Sequence, residues 1–186
     1  MCPWAAIVGE KQDPRTETAL VVRAALLERG LGVGGFVHRI VHRPPEPSPP
    51  QEAHDLPRWD LELEDLATGE RMPYAVNDES RPDVCSLRFA PGVFEIAAGW
   101  VEGRGLDVAL LGGLGPFEAA RHGHWPLVDR LARADRSPLP VLVIRREALT
   151  SIALELPGDL VAGLELPADA AAVAAFAAEV ARAVGR

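Results

Sequence analysis

WAAIVGEKQDPRTETALVVRAALLERG, residues 4–30, sets a short apolar run, a polar eight-residue loop and an apolar-faced segment in succession, and that order decides the fold. The run over 4–8 predicts a buried strand, and the segment over 14–29 predicts a helix stopped by Gly30. Leu20, Arg23, Ala24 and Leu27 share one side of that helix, and Ala19, Val22 and Leu26 widen its apolar surface. Between strand and helix, GEKQDPRT at 9–16 has the length of a phosphate-binding G-x-x-x-x-G-K-[ST] loop but carries Pro14 where the second glycine belongs. A working loop surrounds phosphate with backbone N–H groups and a helix N-terminus, and a cation neutralises the outer oxygens. Gly9, Lys11, Arg15 and Thr16 are the phosphate-binding candidates: Arg15 offers positive charge, and Thr16 a hydroxyl for Mg²⁺. Pro14 removes one N–H and fixes φ near about −65°. Glu10 and Asp13 place two carboxylates where phosphate charge would sit. An ordinary helix start, with Asp13 as N-cap and Pro14 in the first turn, accounts for the same residues, and both readings stand.

The next strand is expected over 32–39, and a helix of this length between two strands favours a right-handed parallel crossover. Residues 44–58 open with five prolines in seven positions and read as a surface loop or excursion without an apolar repeat. Over 59–76 Trp59, Leu61 and Leu63 alternate with acidic residues and lead through ATGE to Met72, Tyr74 and Val76, the pattern of an inserted β-hairpin. Further strands are expected over 85–89, 108–111, 139–144 and 160–164, and helices over 91–103, 125–134, 147–154 and 168–184. The alternation implies a three-layer α/β domain spanning 1–186, with a mostly parallel sheet and a hairpin insertion.

Nineteen basic against twenty-seven acidic residues give a net charge of −8, with no polybasic face, which argues against nucleic acid as partner. No run of eighteen apolar residues occurs, so no membrane span is expected. With no secretory leader pattern, and with Cys2 and Cys85 making no disulfide framework, a reducing cytoplasm is the expected compartment.

An acid at the end of an inner strand, where a nucleotide hydrolase holds Mg²⁺, is missing: Gly112 and Gly113 follow the run at 108–111, and Asp107 precedes it. Gly112, Gly113, Gly115 and Glu118 are crevice candidates, the glycines permitting close approach or positive φ. Glu118 is read first as an exposed loop residue, and second as a carboxylate reaching a metal. His122 and His124 are weak metal candidates that would need His38, His42 or Cys85 to join them; surface histidines near a helix start are the plainer reading. Cys85 reads as a small buried hydrophobe, and Cys2 lies beside a flexible start.

GLGVGGFVHR at 30–39, LEDLATGERMPYAV at 63–76, CSLRFAPGVFEIA at 85–97 and LLGGLGPFEAARHGHW at 110–125, followed by PVLVI, resemble the P-loop nucleoside-triphosphatases of the THEP1 type. They are more similar to a divergent bacterial branch, the DUF2478 family, often associated with molybdate-transport loci. LATGERMP together with GPFEA carries most of the likeness. It implies a P-loop NTPase-like fold, and for intact members Mg²⁺-dependent nucleotide hydrolysis through a complete phosphate loop and an Asp-Glu pair. Here Gly9 and Thr16 match the loop, Arg15 keeps its charge, Pro14 disrupts it, and Gly112 and Gly113 stand in place of the acidic pair. The expectation is a degenerate accessory protein in molybdate or molybdenum-cofactor metabolism. It would bind nucleotide with Mg²⁺, or molybdate, with little or no hydrolysis, beside a transport or cofactor-assembly partner. A non-catalytic interaction or molybdate-responsive module and a Mg²⁺-dependent hydrolase are the alternatives.

Overall fold

The inner strands are continuous apolar runs because helices cover both of their faces. The computed structural model describes residues 2–41, 60–77, 87–135 and 138–185. Among these, the strands are β1 Trp4–Gly9, β2 Val33–Ile40, β3 Leu61–Asp65, β4 Arg71–Asn77, β5 Leu87–Phe89, β6 Val108–Leu114, β7 Leu139–Arg145 and β8 Leu160–Glu165. They form one sheet in the order β5-β4-β3-β2-β6-β7-β1-β8. β2, β6, β7, β1 and β8 run parallel. The hairpin strands β3 and β4, with β5, extend that sheet in antiparallel sense from the β2 edge. The proline-rich loop at 44–58, with Trp59 and Cys85, lies outside the described residues.

The helices are α1 Arg15–Leu27, α2 Val93–Gly99, α3 Pro116–Ala119, α4 Trp125–Arg133, α5 Arg146–Glu155 and α6 Ala170–Val184. Successive strand side chains point to opposite faces. Ile7, Val37, Leu110 and Val143 therefore meet α1 and α6 on one side. Val8, Phe36, Leu111 and Leu142 meet α2, α4 and α5 on the other. The result is the three-layer α/β arrangement expected from the alternation of runs.

Several local expectations change. α1 turns Ala19, Val22 and Leu26 inward and leaves Leu27 41% exposed, so the face that seals the sheet is the one formed by the widening residues. The predicted helix over 91–103 is regular only through Val93–Gly99. Cys2 is buried, its N–H donating to the Ala132 carbonyl at 3.0 Å, so the start of the chain is pinned rather than loose. The LATGE turn of the hairpin is organised by Asp65. This fully buried carboxylate accepts from the Ala67 N–H and the Thr68 hydroxyl, both at 2.9 Å, and from Arg104 at 2.8 Å. Its ion pair and turn bonds satisfy a charge that burial would otherwise penalise, which gives this segment of the family likeness a structural role.

β6 runs past Leu111 to Leu114, three residues beyond its expected end. Leu111 pairs with Leu142 but Leu114 with Ile144, so Gly112 and Gly113 form a bulge that inserts one extra residue. Gly113 has φ +77, and a Cβ there would lie 1.9 Å from Nδ1 of His38. The double glycine is thus a strand irregularity on which an imidazole packs, placed where the sheet meets the crevice.

Candidate functional site

A crevice of about 410 Å³ opens over the carboxyl ends of β1, β2, β6 and β7, the end at which open parallel sheets bind ligands. The β1–α1 connection and α1 contribute Lys11, Asp13, Arg15, Thr16, Glu17 and Ala19. Val37 to Ile40 on β2, Leu61 on β3, Gly112 and Gly113 on β6, and Val143 and Arg145 on β7 complete the wall. Four side chains of the lining are cationic, Lys11, Arg15, Arg39 and Arg145, against the carboxylates of Asp13 and Glu17. In a chain of net charge −8 this reverses the overall sign at one place, the electrostatic condition for attracting an anion.

The loop itself is folded onto its own groups. Pro14, with φ −77 and ψ 58, occupies the N-cap position, and no side chain caps α1. Asp13 is not the helix cap expected from the sequence. Its Oδ2 instead accepts the Glu10 N–H at 2.6 Å, and the Asp13 N–H returns to the Glu10 carbonyl at 3.2 Å. The Arg15 N–H donates to the Asp13 carbonyl at 2.8 Å, and Pro14 has no N–H to give. The Arg15 guanidinium donates to the Gly9 carbonyl at 3.3 Å, and the Thr16 hydroxyl to the His38 carbonyl at 3.0 Å. Lys11 lies exposed on the rim. Gly9 is covered: a Cβ there would lie 3.0 Å from Asp13 Oδ2 and 3.1 Å from Arg15 Cγ.

Arg15 and Arg145 face the same space. Burial lowers the Arg15 pKa, and the like charge of Arg145 lowers it further, while Asp13, Glu147 and Glu10 act in the opposite sense. Arg145 makes a long 3.7 Å contact with Glu147. Arg39 is committed to Glu64, at 2.8 and 3.3 Å. Sequence reasoning passed over Arg145 and Glu17. The signal was available for Arg145, which directly follows the apolar run of an inner strand and so had to emerge at the same end as the loop.

Behind the bulge, Glu118 is 3% exposed, not the exposed loop residue expected. It sits in α3, a four-residue turn, where Oε2 accepts the Gly115 N–H at 2.9 Å and Oε1 accepts the His124 N–H at 3.3 Å. Burial pushes its pKa up to about 7, against the lowering influence of the backbone N–H groups and of Arg145. Gly115 has an extended φ of −153, so its contribution here is its N–H. Gly123, with φ +60, is required for close approach: a Cβ would lie 2.4 Å from Glu118 Oε1.

His122 is exposed and leans on Phe117 at 5.3 Å. His124 is 1% exposed rather than superficial, packed at 4.4 Å from Phe36 and 4.9 Å from Phe94. Its ring lies 5.6 Å from that of His38. Burial holds both imidazoles neutral, His38 with a pKa of about 3 and His124 well below the ordinary value, with Arg145 and Arg15 adding to the effect at His38. His42 and Cys85 lie outside the described residues. Among the described residues no group of three or more His, Cys, Asp or Glu is placed to hold a metal ion. The groups at the β6 end do not fit Mg²⁺ in the manner of a hydrolase, because glycines stand at the strand end and Glu118 is turned onto backbone N–H groups.

No family model matches the chain, and no curated protein matches it. Solved structures do. The crystal structure of THEP1 from the hyperthermophile Aquifex aeolicus is similar with a TM-score of 0.54 and 17% identity, over 87% of this chain and 88% of that one. The solution structure of a human cancer-related nucleoside triphosphatase is similar with a TM-score of 0.63 and 12% identity, over 98% of this chain and 97% of that one. The fold is P-loop NTPase-like. Among the described residues no helix is long and apolar enough to cross a membrane.

Proposed function

We propose that this protein is an anion-binding accessory protein on an NTPase-like scaffold, holding a nucleotide or another oxyanion with little or no hydrolysis. The observation that carries the proposal is the reversal of charge at the crevice, where Arg15 and Arg145 converge within an acidic chain. Hydrolysis is disfavoured by the residues themselves. Pro14 lacks a donor, Asp13 fills the loop, and the β6 end offers glycine where a carboxylate would be needed. Losing one prepared transition-state donor costs about 3 kcal/mol, and here several are missing together. The resemblance of LATGERMP and GPFEA to the DUF2478 family supports the wider proposal of a cytoplasmic role in molybdate or molybdenum-cofactor metabolism, with a transport or cofactor-assembly protein as partner.

Equilibrium dialysis with ATP, GTP, orthophosphate and molybdate, with and without Mg²⁺, tests this reading. Saturable binding of at least one anion, lost in the double variant Arg15→Ala, Arg145→Ala and unaccompanied by phosphate release, is expected. Absence of saturable binding for every anion removes the proposal. Robust Mg²⁺-dependent phosphate release that disappears in Arg15→Ala and Thr16→Ala would restore the hydrolase in its place.

A further inference from the structure

Resting on the anion-binding reading above, we infer that the crevice takes a single compact tetrahedral dianion, inorganic or the head of a phosphate monoester, and that Asp13 is the residue which discriminates against polyphosphate. The Asp13 carboxylate accepts the Glu10 N–H at 2.6 Å. It also lies so close over Gly9 that a Cβ on that glycine would be 3.0 Å from Oδ2. A loop donor that would meet a phosphate oxygen is therefore held by an internal carboxylate, and a second or third phosphate reaching the loop meets like charge instead of N–H groups. The neighbouring donors are also committed: the Asp13 and Arg15 N–H groups bond within the loop, and Pro14 has none.

The cationic side chains beside the loop backbone offer different chemistry. Among the described residues the Arg15 guanidinium donates to the Gly9 carbonyl at a long 3.3 Å, and Arg145 makes a 3.7 Å contact with Glu147. Two planar guanidinium forks facing one space match the paired oxygens of one tetrahedral oxyanion. A volume of about 410 Å³ is ample for a larger molecule, so charge rather than size sets the limit. Ile40, 69% exposed, and the half-buried Leu61 give the crevice an apolar side on which the body of a monoester can rest.

Titration calorimetry of the full chain at fixed ionic strength, with orthophosphate, molybdate, phenyl phosphate, AMP and ATP as probes, tests the inference. The expected result is at least tenfold tighter binding of a single-headed probe than of ATP. Preference among orthophosphate, molybdate and the two monoesters identifies whether the dianion is inorganic or esterified. Asp13→Asn, with Asp13→Ser as a second variant, is expected to tighten ATP at least tenfold while changing the best single-headed probe less than threefold. Glu17→Gln removes the same charge from the same crevice and controls for net charge; it is expected to move both classes of probe alike. ATP binding as tightly as every single-headed probe, or an ATP ratio unchanged by both Asp13 variants, overturns the discrimination by Asp13 and leaves the anion site standing. No binding of any probe to the native chain or to Asp13→Asn overturns the site and the discrimination together.

Discussion

The connections that leave β1 and β6 use the same local device, one lining the crevice and the other behind it, in opposite surroundings. In each, a carboxylate accepts the backbone N–H three residues before it: Asp13 from Glu10 at 2.6 Å, and Glu118 from Gly115 at 2.9 Å. The first is an exposed bond at the surface of the loop, where water competes for both partners. The second is enclosed, and among the described residues no cationic side chain bonds to Glu118, so burial raises its pKa to about 7. One connection therefore ties up a loop N–H at the surface at little cost to the fold, whereas the other builds the wall behind the crevice and holds stability in doing so.

The largest effect is expected where the enclosed device is broken. Glu118→Ala leaves the Gly115 and His124 N–H groups buried without an acceptor, and should lower the unfolding free energy by about 3 kcal/mol in urea titration. Gly113→Ala forces a side chain into φ +77 and against the His38 ring, and should cost about 2 kcal/mol, by the same measurement. At the exposed connection the expected losses are smaller. Thr16→Val deletes the bond to the His38 carbonyl and should cost about 1 kcal/mol. If Asp13→Asn destabilises the chain as much as Glu118→Ala does, the contrast between the two connections fails.

The pH profile sharpens the same contrast. Glu118 binds its proton more tightly in the folded chain, with a pKa of about 7 against an ordinary 4.5. Its contribution to stability is full below pH 4.5 and is lost as pH rises through 7. His38 moves the other way, from 6.5 to about 3, so its contribution is present above pH 6.5 and is lost as pH falls toward 3. His124 has the same sign as His38. The two trends oppose each other between pH 4.5 and 6.5 in the native chain. Denaturation of Glu118→Gln across that interval should show a steeper rise of stability with pH than the native chain shows. An unchanged slope would mean that Glu118 carries no shifted proton.

Legibility in the sequence followed the range of the interactions involved. The apolar runs at 4–8, 108–111 and 139–144, and the helix after Pro14, were readable because period and length mark them locally. Gly112 and Gly113 were seen as permissive but not as a strand bulge, since the bulge is defined by pairing with β7 and packing under His38. His124 looks superficial in the sequence because its burial comes from β2, β4 and α2, all distant along the chain, and Glu118 because its enclosure depends on the turn that brings it onto the Gly115 and His124 N–H groups. Asp13 was identified as a carboxylate in the wrong place for phosphate, but its turn back to Glu10 depends on loop geometry that composition does not specify. The loop motif was legible as a departure. Its consequence required the positions of Arg15 and Arg145 together.

The Glu10 backbone amide reports most directly on the central claim, because it is the loop donor that Asp13 occupies. Followed by NMR while the native chain is titrated with orthophosphate and then with ATP and Mg²⁺, it should keep its resonance. The Arg15 and Arg145 side-chain signals should shift and saturate with orthophosphate, and no phosphate should be released from ATP. A Glu10 amide that moves in step with ATP occupancy, with turnover following, would contradict the account.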